Sequence, residues 1–355
     1  MPRVAALAFA ATLLLLPSIS QARAEPPVAW NSSVLAQAPT WYASAQAREA
    51  ADRVIAHQSP QGGWPKNTPL SEPPPARPDA RLANTIDNHA TTLPMAFLAR
   101  MIAATGEPSY RAAFDRGLAY LLEAQYPNGG WPQFYPLRGG YYDRITFNDD
   151  AMVRVLSLLQ DVAAGAEPYA FTDARQRQAA ADAVSRGVEV ILRTQVMHEG
   201  VPTGWCAQHD EQTLAPAWGR RYEPPSLSGA ETVGVVRFLM GLDTPSPRIV
   251  AAVDGAVAWL GRVALHDVAL ERFTDAEGRP DERLVPKPGA APLWARFYEL
   301  ETDRPIFVDR ESVVHYDLSG VERERRVGYR YVGDWPRKLL EQDYPAWKAR
   351  HGGAD

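Results

Sequence analysis

The stretch Gln58-Ser59-Pro60-Gln61-Gly62-Gly63-Trp64-Pro65 recurs as Gln125-Tyr126-Pro127-Asn128-Gly129-Gly130-Trp131-Pro132. A third, degenerate copy begins at Gln195, where Gly204-Trp205 follow after a longer connection. The glutamines at positions 58, 125 and 195 are separated by 67 and 70 residues. A period of this length exceeds that of a single-hairpin solenoid but fits a unit of two helices with long loops. The three copies therefore predict a helical toroid or barrel built from helix pairs.

The segments between these turns have the apolar spacing of amphipathic helices. Residues 110–122, 152–162 and 249–260 each place their large apolar side chains on one helical face. Each copy of the turn follows such a pattern, so we interpret the turn as the end of a helix. Extended alternating segments are scarce, and the clearest one lies at 328–331. The expected class is all-α, with long loops and a few short strands.

The N-terminus has the pattern of an export signal. Arg3 precedes an apolar run over 5–16, and Ala22-Arg23-Ala24 resembles a cleavage site. We expect a signal peptide over 1–24 and one folded domain over 25–355, exported to the periplasm or beyond the cell. An uncleaved membrane anchor is the alternative, although the apolar run is short for a transmembrane helix. No later stretch has the length and apolarity of a span, so we expect no membrane partner.

Composition excludes several classes of site. Cys206 is the only cysteine, which excludes internal disulfides, zinc–thiolate centres and dithiol redox chemistry. The formal net charge is −5, and removal of Arg3 and Arg23 with the signal peptide would make it −7. This balance argues against a nucleic-acid-binding protein. It does not exclude an anionic substrate, because local cation clusters dominate at contact range.

A second element follows each turn and begins the next helical pattern. It reads Ile86-Asp87-Asn88-His89-Ala90-Thr91 in the first copy and Phe147-Asn148-Asp149-Asp150-Ala151-Met152 in the second. The third copy lies near Leu227-Ser228-Gly229-Ala230-Glu231-Thr232. Helix capping is one interpretation, because Asp, Asn and Ser are good N-cap residues. A cap needs only one such residue, and the extra carboxylate and amide oxygens equally favour a site for a hard cation.

Two adjacent arginines stand out in the third repeat. Arg220 and Arg221 lie next to Tyr222 and Glu223, just before a predicted helix start. Adjacent guanidinium groups can form a fork that binds a carboxylate. The alternative is a surface Arg–Glu ion pair, which contributes little stability. The position in the repeat favours a functional role, because Asp87, Asn88 and Asp149 would lie at the same edge of the toroid.

Two further positively charged residues, Arg296 and Lys66, are not needed to form the turns or helices in which they are predicted to lie. Arg296 stands among aromatic residues, a pattern that suits a sugar acid, since the ring can stack and the guanidinium can bind a carboxylate. Its alternative role is a weak helical contact with Glu299. Lys66 follows the first Gly-Gly-Trp-Pro turn, whereas the second copy has Gln133 there. A turn needs no lysine, so this asymmetry indicates a function.

Patterns of common hydrolases are absent from the sequence. No G-x-S-x-G motif and no H-E-x-x-H zinc motif occur. A carboxylate pair for glycoside hydrolysis stays open among Asp149, Asp210 and Glu223, although nothing in their spacing selects it.

Taken together, these motifs resemble polysaccharide lyase family 10 pectate lyases. The resemblance runs from about Ala47 to Trp347 and rests on six segments: Gly62 to Asn67, Ile86 to Thr92, Phe147 to Met152, Cys206 to Asp210, Arg220 to Gly229, and Asp303 to Arg310. It implies an (α/α)3 toroid and calcium-assisted β-elimination on polygalacturonate. The domain over 25–355 would then be the catalytic domain of a pectate lyase. The expected partner is this anionic polysaccharide, and the expected state is a monomer.

The resemblance also implies roles for individual residues. Arg220 matches the family's base, and Arg221 departs from the family pattern, which has a small residue there. Since guanidinium hardly ever loses its proton, such a base predicts little turnover at neutral pH and more in alkali. We expect calcium and nearby cations to lower the pKa of Arg220. Calcium ligands would be Asn88, Asp149 and Asp87, and substrate-binding residues would be Lys66, Asp87, Arg221, Arg296 and Arg310.

Two alternatives come from other classes. One is a non-catalytic uronate-binding protein on the same scaffold. The other is a terpenoid-cyclase-like α toroid, because similar Gln-x-x-x-Gly-x-Trp turns occur there. The second would need an acidic D-x-D-D motif, and the sequence contains none.

Overall fold

The computed structural model describes residues 28–351. The predicted signal peptide over 1–24 lies outside the described residues. Helical residues make up 45% of the structure and strand residues 13%, and the strands form several antiparallel sheets. The expected all-α class is therefore wrong, and with it the description of the fold as an all-α toroid. The chain has a mixed α and β structure.

Helices dominate the first three quarters of the described chain. The α-helices within residues 28–351 are Ala45–Ala56 (α1), Thr92–Thr105 (α2), Pro108–Glu123 (α3), Ala151–Ala164 (α4), Ala174–Thr194 (α5), Glu231–Met240 (α6), Pro247–Arg262 (α7), Arg323–Gly328 (α8) and Tyr344–His351 (α9). Short 3-10 segments lie at Ser32–Ala36, Pro39–Ala43, Asp87–His89, Gly140–Asp143, Asn148–Asp150 and Leu318–Gly320, and a π-helical segment at Leu339–Asp343. The helices predicted over 110–122, 152–162 and 249–260 are confirmed as α3, α4 and α7.

Local sequence explains where several helices begin and end. Proline occupies the first turn of α3 and α7, where its missing N–H costs nothing. A reciprocal capping box between Asp173 and Gln176 begins α5. Gly106 and Gly165 end α2 and α4 in the left-handed conformation that glycine adopts without a steric penalty.

The helices pack as three consecutive pairs, α2 with α3, α4 with α5 and α6 with α7. Helices α2, α4 and α6 contact one another in that order, as do α1, α3, α5 and α7. Helices α2 and α4 are buried on most sides, whereas α5 buries one face. The first set therefore lies deeper in the core than the second. None of the helices in the described part of the chain is long and apolar enough to cross a membrane.

Most strands are short, and three of the seven pairings, β1 with β4, β5 with β9 and β8 with β12, join distant parts of the described chain. They are Ile145–Thr146 (β1), Met197–His198 (β2), Val201–Pro202 (β3), Gln208–His209 (β4), Leu227–Ser228 (β5), Val268–Thr274 (β6), Pro280–Pro286 (β7), Trp294–Ala295 (β8), Phe297–Tyr298 (β9), Pro305–Val308 (β10), Val314–His315 (β11) and Val332–Gly333 (β12). One antiparallel sheet has the order β11-β10-β9-β5, and four two-stranded ladders pair β1 with β4, β2 with β3, β6 with β7 and β8 with β12.

The expectation of only a few short strands underestimates the strand content for a physical reason. A two-residue strand has no alternating pattern, and some of these strands form only because a distant segment supplies the partner, as Ile145 pairs with His209. The longer β6–β7 hairpin is only partly buried and rich in charge, with Glu271 opposite Arg283 and Arg272 opposite Glu282. The sequence feature that could have predicted this hairpin is Gly278 in its turn, where the backbone has a φ of 77°.

The three repeats are equivalent in their hydrogen bonds. The indole N–H groups of Trp64, Trp131 and Trp205 donate to carbonyls near the ends of α1, α3 and α5, at 2.7, 2.8 and 2.8 Å. The side-chain amides of Gln58, Gln125 and Gln195 each donate to a carbonyl of their own turn. Each also donates to a carbonyl of α3, α5 and α7 respectively, at 2.9 Å. The stretch is thus confirmed as a turn that ends a helix, and it also ties that helix to the next repeat.

Buried apolar side chains form a main cluster among the helices and a smaller cluster beneath the C-terminal sheet. The smaller cluster includes Tyr222, Phe297 and Tyr331. Because Tyr222 comes from the third repeat, this cluster fixes the C-terminal segment against the loop that contains Arg220.

Candidate active site

Two helix starts share an uncommon backbone conformation. Asn88 and His89 have φ values of 49° and 62°, and Asp149 and Asp150 have 50° and 60°. Left-handed non-glycine residues are costly and cluster at functional sites. Thr91 and Asp150, the N-caps of α2 and α4, make no side-chain capping hydrogen bond. Helix capping therefore does not account for the polar residues at these positions.

The shared conformation brings the first two copies to one cavity. Asn88 and Asp149 both line a cavity of about 440 Å³, together with His89, Asp150, Arg154, Ala230, Glu231, Arg296, Arg330 and Trp335. The third copy differs in backbone, because Ala230 has a φ of −100°. It contributes Glu231, the first residue of α6. The cavity thus joins the starts of α2, α4 and α6.

Arg296 is held at this cavity by two carboxylates. Its Nη2 donates to Asp149 Oδ1 at 3.1 Å and also to Glu231 Oε1. Glu231 is buried and accepts a further hydrogen bond from Ser228. Burial opposes the charge on Arg296, but Glu231 and Asp149 hold its pKa well above the usual value. Arg296 is therefore a fixed positive charge beside the oxygens of Asp149.

Arg220 is paired with Glu223 rather than free. Its backbone N–H donates to Glu223 Oε2 at 2.8 Å, and its Nη2 donates to Oε1 at 2.5 Å. Burial lowers the pKa of Arg220, but the hydrogen bond and charge of Glu223 outweigh this and raise it. The expectation that calcium and nearby cations lower the pKa of Arg220 stays a prediction, whereas the charged partner described here is the anion Glu223, which raises that pKa.

Tyr329 lies between the two arginines. Its ring centroid is 5.7 Å from the Arg220 guanidinium and 5.0 Å from that of Arg296. Its hydroxyl donates to Glu223 Oε1 at 3.0 Å. The groups Arg220, Tyr329, Arg296 and Asp149 therefore form a continuous line of contacts, which we call the arginine line.

Lys66 and Asp87 form a separate pair. Lys66 Nζ lies 2.6 Å from Asp87 Oδ2, and Gln133 Nε2 donates to the same oxygen at 2.7 Å. Lys66 and Gln133 occupy equivalent positions in the first two repeats, so both turns contact one buried carboxylate. Asp87 is not among the residues that line the cavity of Asn88 and Asp149. The structure therefore groups Asp87 with Lys66 instead.

Arg221 and Arg310 lie at the rim. Arg221 is exposed, and its carbonyl accepts a hydrogen bond from Ser312 at 2.8 Å. Arg310 is half-exposed and makes two 2.8 Å hydrogen bonds to Glu324. Its guanidinium lies 5.8 Å from the ring of Tyr222. The loop after β10 thus borders the Arg220 segment, although Arg310 is paired with a carboxylate.

Other sequence candidates have structural partners. Asp210 pairs with Arg144, and Glu223 pairs with Arg220, so the carboxylates considered for glycoside hydrolysis are engaged by arginines. Cys206 is buried, which raises the pKa of its thiol and suits an unreactive residue.

The oxygen chemistry of the cavity fits a hard cation that takes part of its ligands from substrate. Asn88 donates its amide nitrogen to Asn67 at 3.0 Å, which leaves its oxygen as the available ligand atom. Asp149 is about half-exposed and keeps its carboxylate at the cavity. Within residues 28–351 no three His, Cys, Asp or Glu side chains form a metal cluster. Calcium prefers six to eight oxygens, so two protein ligands require further oxygens from the bound molecule and from water.

A family model described as pectic acid lyase matches residues 58–340. This match covers the three turns, both left-handed helix starts and the whole arginine line. The chain belongs to the pectic acid lyase family. The lyase is thus an enzyme that acts on polysaccharide of the pectate type, as the resemblance implied.

Solved structures agree with this membership. The lyase is 33% identical to family 10 polysaccharide lyase from Cellvibrio cellulosa, with a TM-score of 0.75 over 92% of this chain and 98% of that chain. A mutant of that enzyme in complex with trigalacturonic acid has a TM-score of 0.74 at 33% identity, over 92% of this chain and 100% of that chain. A comparison with curated proteins found no match to the lyase.

Sequence reasoning overlooked three residues that contact the proposed site of the lyase. Glu231 lies in the third helix start, and Tyr329 lies in the extended segment 328–331, but neither pattern by itself indicates a role at a site. Arg325 of α8 is buried, and its guanidinium lies 4.5 Å from the ring of Tyr222 and 5.1 Å from that of Tyr329. For Glu231 a signal existed, because an acidic residue stands at all three helix starts.

Proposed function

We propose that the lyase cleaves polygalacturonate by β-elimination, with Arg220 as the base and calcium as the cofactor, and releases 4,5-unsaturated oligogalacturonates. The contacts of the arginine line are the main observation that supports this proposal. It combines a candidate base, a fixed guanidinium and carboxylate oxygens within one set of contacts. An anionic sugar polymer needs cations to bind it, and elimination needs a base beside them.

The substrate defines the chemistry. Each galacturonate has a carboxylate at C5, so the C5 proton is α to that carboxylate. The base removes this proton, the C4–C5 double bond forms, and the C4–O4 bond breaks with its electron pair leaving on O4. Negative charge develops on the carboxylate during proton removal, and Arg296 is suited to stabilise it. Because a protonated guanidinium accepts no proton, we expect turnover to rise with pH.

Asn88 and Asp149 would hold the calcium ion. When bound, calcium would supply positive charge against the charge that develops on the uronate. Arg296 also contacts Asp149, so Arg296 and a bound calcium ion would place two positive charges at one region of the substrate.

Cations outside the arginine line would bind neighbouring sugars. Lys66, held by the buried Asp87, offers a fixed ammonium group at one side. Arg221 and Arg310 offer guanidinium groups at the rim. A local cluster of this kind explains how a protein with a net charge of −5 could bind a polyanion.

We further propose that the lyase is exported and acts as a monomer. The export proposal rests on the leader pattern in residues 1–24, which supports secretion or a periplasmic location. The binding-protein and terpenoid-cyclase alternatives lose support, because the family is a lyase family.

Ultraviolet absorbance during incubation with polygalacturonate tests the proposal. We expect a rise from unsaturated uronate that is faster in alkali, needs calcium and stops with a chelator. Arg220→Ala should lower turnover by several orders of magnitude while oligogalacturonate binding survives. Arg248→Ala is the matched control, because Arg248 forms a surface ion pair with Glu189. A wild-type protein that binds the polymer without releasing unsaturated product would contradict the proposal.

A further inference from the structure

Tyr329 has a fixed place in the arginine line. Its ring is 5.2 Å from the ring of Tyr222 and 4.9 Å from that of Tyr331, and it stacks on Phe297 at 6.1 Å. A ring packed on several sides has little freedom to rotate away, so the position of its hydroxyl is determined. That hydroxyl is directed at Glu223.

One oxygen of Glu223 is shared by two donors. Oε1 accepts from Arg220 Nη2 at 2.5 Å and from the Tyr329 hydroxyl at 3.0 Å. The aromatic ring of Tyr329 also contacts both guanidinium groups, at 5.7 Å from Arg220 and 5.0 Å from Arg296. The neutral side chain of Tyr329 therefore influences both the strength of the Arg220–Glu223 ion pair and the placement of the Arg220 and Arg296 guanidinium groups.

We propose that Tyr329 is a positioning residue for the elimination reaction, which acts through Glu223 to orient Arg220 and set its readiness to accept a proton. This inference rests on the proposed function of Arg220. Tyr329 need not touch the reacting atoms, because its effect passes through the Glu223 carboxylate.

The loss of the hydroxyl should strengthen the hold of Glu223 on Arg220. A carboxylate oxygen that accepts two hydrogen bonds attracts each donor less than an oxygen that accepts one. Without the Tyr329 hydroxyl, Glu223 holds the proton of Arg220 more tightly. The other charged or titratable groups that interact with this cluster are Arg296, Arg325, Glu231, Tyr141, Tyr222 and Tyr331, and Tyr329→Phe replaces none of these side chains.

Tyr329→Phe tests the inference, because it keeps the ring and removes the hydroxyl. We expect kcat on polygalacturonate to fall about tenfold, the effect of one hydrogen bond to a charged group, while KM changes less than about twofold. Tyr329→Leu, which also removes the ring, should raise KM in addition, since Arg296 loses its aromatic contact. Tyr316→Phe is the control, because the Tyr316 hydroxyl donates to Glu299 at 2.6 Å outside the arginine line.

A double-mutant cycle separates positioning from general damage. If Tyr329 acts through Glu223, Tyr329→Phe should lower kcat much less in the Glu223→Gln background than in the wild type. Equal effects in both backgrounds, or a Tyr329→Phe variant with wild-type kcat, would overturn the inference while leaving Arg220 as the base. A wild-type protein with no elimination activity would instead refute the proposed function on which it rests.

Discussion

Glu223 is the residue that sets the charge state of Arg220. Burial favours the neutral guanidinium, whereas the adjacent carboxylate favours the protonated form and raises the pKa of Arg220. Burial also opposes the charge on Glu223, but the hydrogen bond and charge of Arg220 lower its pKa. The two groups thus hold each other charged, although a base must lose its proton. The Arg220–Glu223 pair therefore keeps the proposed base protonated at neutral pH.

We expect Glu223→Gln to move activity to lower pH. Glutamine keeps acceptor oxygen for Arg220 but removes the negative charge, so burial becomes the dominant influence and the pKa of Arg220 falls. At any pH below that pKa, a lower pKa means a larger neutral fraction and faster proton removal. The measurement is kcat on polygalacturonate as a function of pH.

Glu189→Gln, which alters a surface pair with Arg248, is the control for this prediction and should leave the profile unchanged. A Glu223→Gln profile that stays in place, or moves to higher pH, would contradict the assignment of Arg220 as the base.

At the scale of elements, helix α6 approaches the start of α4 without a side chain between them. A Cβ atom at Gly234 of α6 would overlap Oδ1 of Asp150. Burial raises the pKa of Asp150, and its carboxyl lies at the wall of the cavity near Asp149. The close contact between α6 and the start of α4 therefore requires a glycine at position 234.

Gly234→Ala should destabilise the protein by about 1–3 kcal/mol, because α6 or Asp150 must move to make room. Gly261→Ala in α7 is the matched control, since no atom lies within 4 Å of its added Cβ. We expect that control to be neutral or to stabilise by up to about 1 kcal/mol, since alanine favours the helix. Denaturant unfolding checks both, and equal stabilities for the two variants would refute the packing argument.

At the scale of the whole molecule, three glutamines join consecutive repeats. Gln125 donates to Gly129 O at 3.0 Å within its turn and to Ala183 O of α5 at 2.9 Å. Gln58 and Gln195 make the same pair of bonds in the other repeats. The repeats are thus linked in series, and we expect them to unfold as one unit.

Gln125→Leu should lower the free energy of unfolding by about 1–3 kcal/mol, since two carbonyls lose their donor. The variant should keep a single transition, because α3, α4 and α5 still pack together. Gln178→Leu is the control, as Gln178 is exposed and bonds only within α5, to Asp182. Two separate transitions in calorimetry of the wild type would contradict the serial linkage.

Sequence alone determined the repeat, the helices and the family of this protein. These features are local patterns: the turn motif, the apolar stripes of α3, α4 and α7, and the cationic segments. They can be recognised in the sequence because helical periodicity and turn residues act over about ten neighbouring residues. The assignment of roles to Lys66, Arg220 and Arg296 stays a prediction that the proposed experiments test.

Only the tertiary structure decided the fold class and the charge environment of the site. Strands such as β1 and β5 exist because distant partners meet, and the contacts of Arg296 with Glu231 and Asp149 join residues 65 and 147 positions apart. The pKa of Arg220 likewise depends on how deeply the Arg220–Glu223 pair is buried, and the carboxylate of that pair is contacted by Tyr329, 106 positions beyond Glu223. Electrostatic and packing energies follow distance in space, which no local pattern of the chain specifies.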